Sequence, residues 1–223
     1  MPRESKTSKQ QRARHIVSAL KDRYPSPKAA LNYVSPWELL VATILSAQCT
    51  DRKVNEVTQS LFQKYRSVED FAAADLETLK QEIYSTGFYQ RKAQSIIETA
   101  KAVTGNFGGQ LPRTMDEMLL LPGVARKTAN VVLGEAFGEA TGVVVDTHVS
   151  RLALRMGLTP RQRTKTLNTD RIERDLMDLI PQEDWIFAGF ALVLFGRDTC
   201  PARKPRCEEC VVADHCPKIG VPS

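Results

Sequence analysis

The sequence predicts an all-helical fold, and three observations predict it. Side-chain caps recur ahead of apolar residues spaced three and four apart, glycines follow several of these stretches, and sustained β-branched runs are lacking. The caps are Ser35-Pro36-Trp37-Glu38, Ser67-Val68-Glu69-Asp70 and Thr114-Met115-Asp116-Glu117. In each, a hydroxyl can accept a free amide of a first helical turn. Behind them the apolar residues form stripes, as in Val54, Val57, Leu61, Phe62 and Tyr65, or Ile172, Leu176, Leu179 and Ile180. Such stripes are the faces that helices turn to a core. Gly87, Gly105, Gly138, Gly157 and Gly196 follow helical stretches and suit a left-handed cap. About ten short helices result. The run Val143-Val144-Val145 is too short and isolated to found a sheet and reads as a connector into the next helix. The first 14 residues carry Arg3, Lys6, Lys9, Arg12 and Arg14 against one acid, and read as a mobile basic tail ahead of a helix.

The composition narrows the class. A chain of 223 residues with 42% hydrophobic content can bury a core as one large domain or two small ones. Its 31 Lys and Arg against 26 Asp and Glu, a net charge of +5, favour a polyanionic partner. There is no apolar run long enough to span a bilayer and no apolar stretch behind the basic N-terminus, so the expectation is a cytoplasmic protein with no membrane partner. Of five cysteines, Cys200, Cys207, Cys210 and Cys216 cluster near the C-terminal end and suggest a metal site. Cys49 stands alone, and it reads as a small core thiol without a function.

Residues 119–129, Leu-Leu-Leu-Pro-Gly-Val-Ala-Arg-Lys-Thr-Ala, have the pattern of a helix-hairpin-helix: an apolar helix end, a tight glycine turn, and a new helix running to Phe137. Such a turn aims backbone amides and a helix N-terminus outward, where they can hold a phosphate without reading base sequence. The string resembles the hairpin of the endonuclease III family of DNA glycosylases, in which the lysine is the nucleophile. The resemblance implies Lys127 as catalyst and Gly123, Ala125, Lys127 and Thr128 as DNA contacts. The family hairpin usually has glycine where this chain has Ala125, which predicts a tuned turn and not a lost one.

Nineteen residues after Lys127 stands Asp146, in Val145-Asp146-Thr147-His148-Val149, which resembles the family's segment carrying its essential aspartate. The pair makes chemical sense. A neutral amine can attack the anomeric carbon of a deoxyribose and hold the sugar as a Schiff base, and a carboxylate can take up a proton and stabilise the charge growing on the sugar. Read alone, Asp146 is also the N-cap of a helix beginning at Thr147. His148 is expected to contact DNA or to orient the acid.

Two loops resemble family segments that enter the duplex when a base is swung out. Leu45-Ser46-Ala47-Gln48-Cys49-Thr50-Asp51 implies Gln48 at the vacated position. Gly87-Phe88-Tyr89-Gln90-Arg91-Lys92-Ala93 implies Phe88 as a wedge, with Arg91 and Lys92 on phosphates.

The cysteine spacing, C-x6-C-x2-C-x5-C, has one close pair, whereas zinc ribbons usually have two. It matches the family's 4Fe-4S cluster, which implies that cofactor on Cys200, Cys207, Cys210 and Cys216. Between the first two lie Arg203, Lys204 and Arg206 on a proline-stiffened loop, expected to face DNA.

The resemblance covers about residues 31 to 216. It implies a two-domain helix-hairpin-helix DNA glycosylase fold: residues 29–139 as a helical barrel domain ending in the hairpin, and residues 1–28 with 140–223 as a cluster domain, with Lys127 and Asp146 facing a groove between them. The implied function is a bifunctional DNA glycosylase and AP lyase that acts, as a monomer, on oxidised or reduced pyrimidines or abasic sites in double-stranded DNA. In a bacterium it would be nucleoid-associated. A monofunctional relative specific for adenine or a mismatch is one alternative. The adenine-excising branch, however, lacks the hairpin lysine and uses a glutamate before the glutamine, and this chain has no carboxylate between Glu38 and Asp51. A non-catalytic DNA-binding or redox-sensing iron–sulfur protein is the other.

Overall fold

A computed structural model describes residues 4–160 and 167–221. Among them are eleven α-helices and no strand: α1 (Lys6–Arg23), α2 (Pro36–Leu45), α3 (Asp51–Lys64), α4 (Val68–Ala72), α5 (Leu76–Glu82), α6 (Tyr89–Phe107), α7 (Met115–Met118), α8 (Arg126–Phe137), α9 (Thr147–Arg155), α10 (Thr169–Met177) and α11 (Trp185–Asp198). The helices form where the caps stand. Ser35, Ser67 and Thr114 accept the amides of Glu38, Asp70 and Glu117, and Ser67 with Asp70 closes a reciprocal capping box. The chain divides into two compact units, residues 29–139 and residues 1–28 with 140–223.

In the unit of residues 29–139, α2 is the central element, with Leu39, Leu40, Val41, Ala42 and Leu45 fully buried. It packs against α8 and α3, and α6 lies against α4 and α5. Phe71 anchors an aromatic group, 5.0 Å from the Tyr65 ring and 5.6 Å from Trp37. Gly87 precedes α6 and Gly138 ends α8, both with positive φ. Gly105, expected to end a helix, lies inside α6, which runs on to a left-handed cap at Gly108. One interior glycine carries only a small penalty, and the helix is closed beyond it by the Gly109 amide on the Val103 carbonyl at 3.1 Å.

In the other unit, α1, α9, α10 and α11 surround a core that includes Ile16, Leu20, Val149, Leu152, Ile172, Leu176 and Phe195. Most of the first 14 residues are helix and not the expected mobile tail. Helix α1 starts at Lys6, where Ser5 Oγ accepts the Ser8 amide, and Ala13 is already buried. Basic residues masked this start: Lys6 and Arg14 are exposed, whereas Arg12 turns inward and donates to the Met156 and His215 carbonyls, partners remote in sequence. Residues 1–3 lie outside the described residues. Val143, Val144 and Val145 are buried as an irregular connector. Gly196, expected as a helix stop, sits within α11, and a Cβ there would come 2.8 Å from His148 Cβ. The glycine allows α11 to approach α9 closely.

Candidate active site

The hairpin turn is built by packing from α6. Gly123 has φ +75°, and a Cβ on it would lie 2.7 Å from Ser95 Cβ, so glycine is required for both its dihedral and its space. The Thr99 hydroxyl donates to the Pro122 carbonyl, and the Val124 amide reaches the Leu121 carbonyl at 3.1 Å. Neither Ser95 nor Thr99 was singled out in the sequence; the only signal was their four-residue spacing on one helix face.

Ala125 is the N-cap of α8, with φ −90° and ψ 165°, and makes no side-chain cap bond. That conformation is extended backbone, which alanine adopts without strain. The departure from glycine therefore leaves the turn undistorted. Ala125 and Lys127 are exposed and Thr128 half-buried, so α8 starts without a side-chain cap from Ala125 and presents an accessible amine. Free amides at the positive end of a helix suit a phosphate oxygen.

Asp146 precedes α9, and its Oδ1 accepts the Val149 amide at 2.8 Å. One carboxylate oxygen is thus held by the helix, and the half-buried group keeps acceptor capacity for another partner. His148 is half-buried, with Nδ1 3.2 Å from Arg151 Nη2.

The two loops expected to enter a duplex share an unusual backbone. Gln48 has φ +53° and Phe88 φ +49°, the left-handed region that non-glycine residues rarely occupy. Both side chains are exposed, Phe88 at 61%. Arg91 is exposed in the first turn of α6. Lys92 departs from the expected phosphate contact. It is 4% exposed, and its ammonium donates to the Leu45 and Thr86 carbonyls, each at 2.8 Å. Burial pushes the amine below the ordinary lysine range. A cation buried to this degree, with two of its three donors engaged inside the unit, is not available to a phosphate.

The thiols of Cys200, Cys207, Cys210 and Cys216 line one small cavity, walled by Leu152, Met156, Phe195 and Val212. All four are free and half-buried. Burial, reinforced by the neighbouring thiolates, pushes Cys210 and Cys216 above the ordinary thiol range. Among the described residues no three His, Cys, Asp or Glu side chains are arranged to hold a single ion. Four soft donors spread around an apolar cavity fit a multinuclear iron–sulfur cage, whereas zinc draws its sulfurs to about 2.3 Å. Arg155, 5% exposed, completes the surroundings, with Nη1 3.2 Å from Cys200 Sγ and Nη2 donating to the Ala202 carbonyl at 2.7 Å. Arg151 donates to the Gly196 carbonyl at 2.7 Å and to the Cys200 carbonyl at 3.1 Å. The sequence offered only the bare i, i+4 spacing of these two arginines as a signal. The Arg206 amide meets the Thr199 carbonyl at 2.9 Å and closes the loop on which Arg203, Lys204 and Arg206 are exposed.

Comparison with known proteins gives the following matches. Residues 41–182 match the HhH-GPD superfamily of base excision DNA repair proteins, and residues 199–216 match the iron-sulfur binding domain of endonuclease III. Endonuclease III of Synechocystis sp. is 50% identical over 210 residues, 94% of each chain. Endonuclease III of Escherichia coli K12 is 38% identical over 201 residues, covering 90% of this chain and 92% of that one. A solved structure of a trapped endonuclease III–DNA covalent intermediate superposes with a TM-score of 0.86 at 39% identity, over 94% of this chain and 96% of that one.

Proposed function

Since the chain belongs to the endonuclease III family of the HhH-GPD superfamily, we propose that it is a bifunctional DNA glycosylase and AP lyase of base excision repair. The observation that carries this reading is Lys127, exposed in the first turn of α8 directly behind the Gly123 turn.

The hairpin amides hold a backbone phosphate, and the neutral Lys127 amine attacks C1′ of the target deoxyribose. The glycosidic bond breaks with its electron pair leaving on the base, which is protonated. The Asp146 carboxylate stabilises the positive charge on the sugar and accepts a proton from the attacking amine. Ring opening gives an iminium between C1′ and Lys127 Nζ. Loss of a C2′ proton then expels the 3′-phosphate by β-elimination, and water releases the enzyme. Uniform phosphate contacts at Arg91, Arg203, Lys204 and Arg206 add affinity without sequence preference, and the half-buried His148 is a further DNA contact.

Cys200, Cys207, Cys210 and Cys216 would hold the 4Fe-4S cluster. When bound it cross-links the loop of Arg203, Lys204 and Arg206 and makes it rigid. On this reading residues 1–28 with 140–223 are the cluster domain and residues 29–139 the helical barrel domain. The substrate is duplex DNA carrying an oxidised or reduced pyrimidine or an abasic site, and the enzyme acts as a monomer at the nucleoid. None of the described helices is long and apolar enough to cross a membrane.

Borohydride trapping on a duplex carrying one thymine glycol, beside an abasic duplex, tests the proposal. A covalent adduct on both, absent in Lys127→Gln while DNA binding persists, is the expected result. Equal adducts in the variant would exclude Lys127, and release of free base without any adduct would make the protein a monofunctional glycosylase.

A further inference from the structure

Lys92 is a buried cation that the proposed chemistry does not use. Its ammonium donates to Leu45 O, the last residue of α2 and three positions before Gln48, and to Thr86 O, two positions before Phe88. Its own amide donates to the Phe88 carbonyl at 3.1 Å. One residue therefore binds the backbone at the root of both exposed loops. Each loop also carries a non-glycine residue in the left-handed region. Such conformations persist only where the surroundings over-determine them. An ammonium between two carbonyls does this for both loops together, and at Leu45 it also satisfies a helix-end carbonyl.

We propose that Lys92 is a positioning residue that ties the Gln48 loop to the Phe88 loop, so that both side chains enter a DNA duplex as one rigid two-pronged element. The proposal rests on the reading above that Gln48 and Phe88 enter the duplex. It goes beyond that reading by making their action coupled and by naming the group that couples them. A rigid pair fills the gap left by an extruded base without ordering two loops separately on encounter, a cost that preorganisation avoids.

Lys92→Met keeps the length and apolar stem of the side chain and removes both ties. In the free protein, hydrogen exchange should quicken together in residues 46–49 and 86–89. Thymine glycol excision from duplex should fall about tenfold, while cleavage of an abasic site in a single strand, where no stack is opened, stays within about twofold. Faster exchange in neither loop or in only one would overturn the tie. So would unchanged duplex excision, or a parallel fall of both reactions together with thermal stability.

A second test does not depend on that variant's folding. With Lys92 intact, Gln48→Ala and Phe88→Ala should be non-additive in duplex excision, the double variant falling about as far as the worse single one. Losses that multiply would overturn the coupling. If wild-type protein releases no base and forms no borohydride adduct, the proposed function fails, and the hydrogen-exchange comparison still decides the tie.

Discussion

The Asp146 carboxylate caps the helix that follows it, with Oδ1 accepting the Val149 amide at 2.8 Å. Capping and catalysis are therefore separable by substitution. Asp146→Asn retains an acceptor of equal capping strength and should keep the melting temperature, while base excision falls at least about 100-fold. Asp146→Ala should lose activity and also about 1 kcal/mol of stability. Thermal melts beside single-turnover excision would check both, and a fully active Asp146→Asn would remove the carboxylate from the chemistry.

The hairpin turn should be intolerant at one position and tolerant two residues later. Gly123→Ala forces a Cβ against Ser95 at positive φ, and about 1–3 kcal/mol of destabilisation with weaker DNA binding is expected. Adding Ser95→Gly should recover only the steric part. Ala125→Gly should change stability by less than about 1 kcal/mol and leave DNA affinity unaltered, because the backbone there is already relaxed. Equilibrium unfolding and binding titrations of the three variants would decide.

Reversing charge at Arg203, Lys204 and Arg206 should weaken binding to every duplex and flatten its salt dependence. If each contacts one phosphate, the log–log slope falls by up to about three. An unchanged slope would remove this loop from the DNA interface.

Acid should weaken the residue 29–139 unit in part through Asp70. The amides of Arg66 and Ser67 hold its carboxyl below the ordinary aspartate range. The sign follows from linkage. The unfolded chain binds the proton first, so the contribution is complete above the unfolded value of about 3.9 and is lost as pH falls through the lower folded value. Urea midpoints of the wild type should therefore drop more steeply below about pH 4 than those of Asp70→Asn. Parallel pH profiles would show that the box contributes nothing in acid.

The features legible in the sequence were those written within a few residues of one another. Ser35, Ser67 and Thr114 announced helix starts because a cap and the amide it accepts are three residues apart. The all-helical class followed from these caps and from apolar stripes of the same reach. The hairpin string and the cysteine spacing pointed to family and cofactor for the same reason, since turn and ligand loop are each contiguous. Sequence spacing was silent where partners are remote. Lys92 read as a surface cation because nothing nearby shows that the Leu45 carbonyl, 47 positions away, would receive its ammonium. Gly123 read as a turn former, and only the fold reveals Ser95 beneath it. Arg155 reaches Cys200 across 45 positions. By itself the sequence determined which segments are helical and which residue types could carry the chemistry, because caps, turns and ligand spacing are local. Only the tertiary structure decided which of those side chains are free to act and which are bound inside, because burial and hydrogen bonding depend on segments that packing alone brings together.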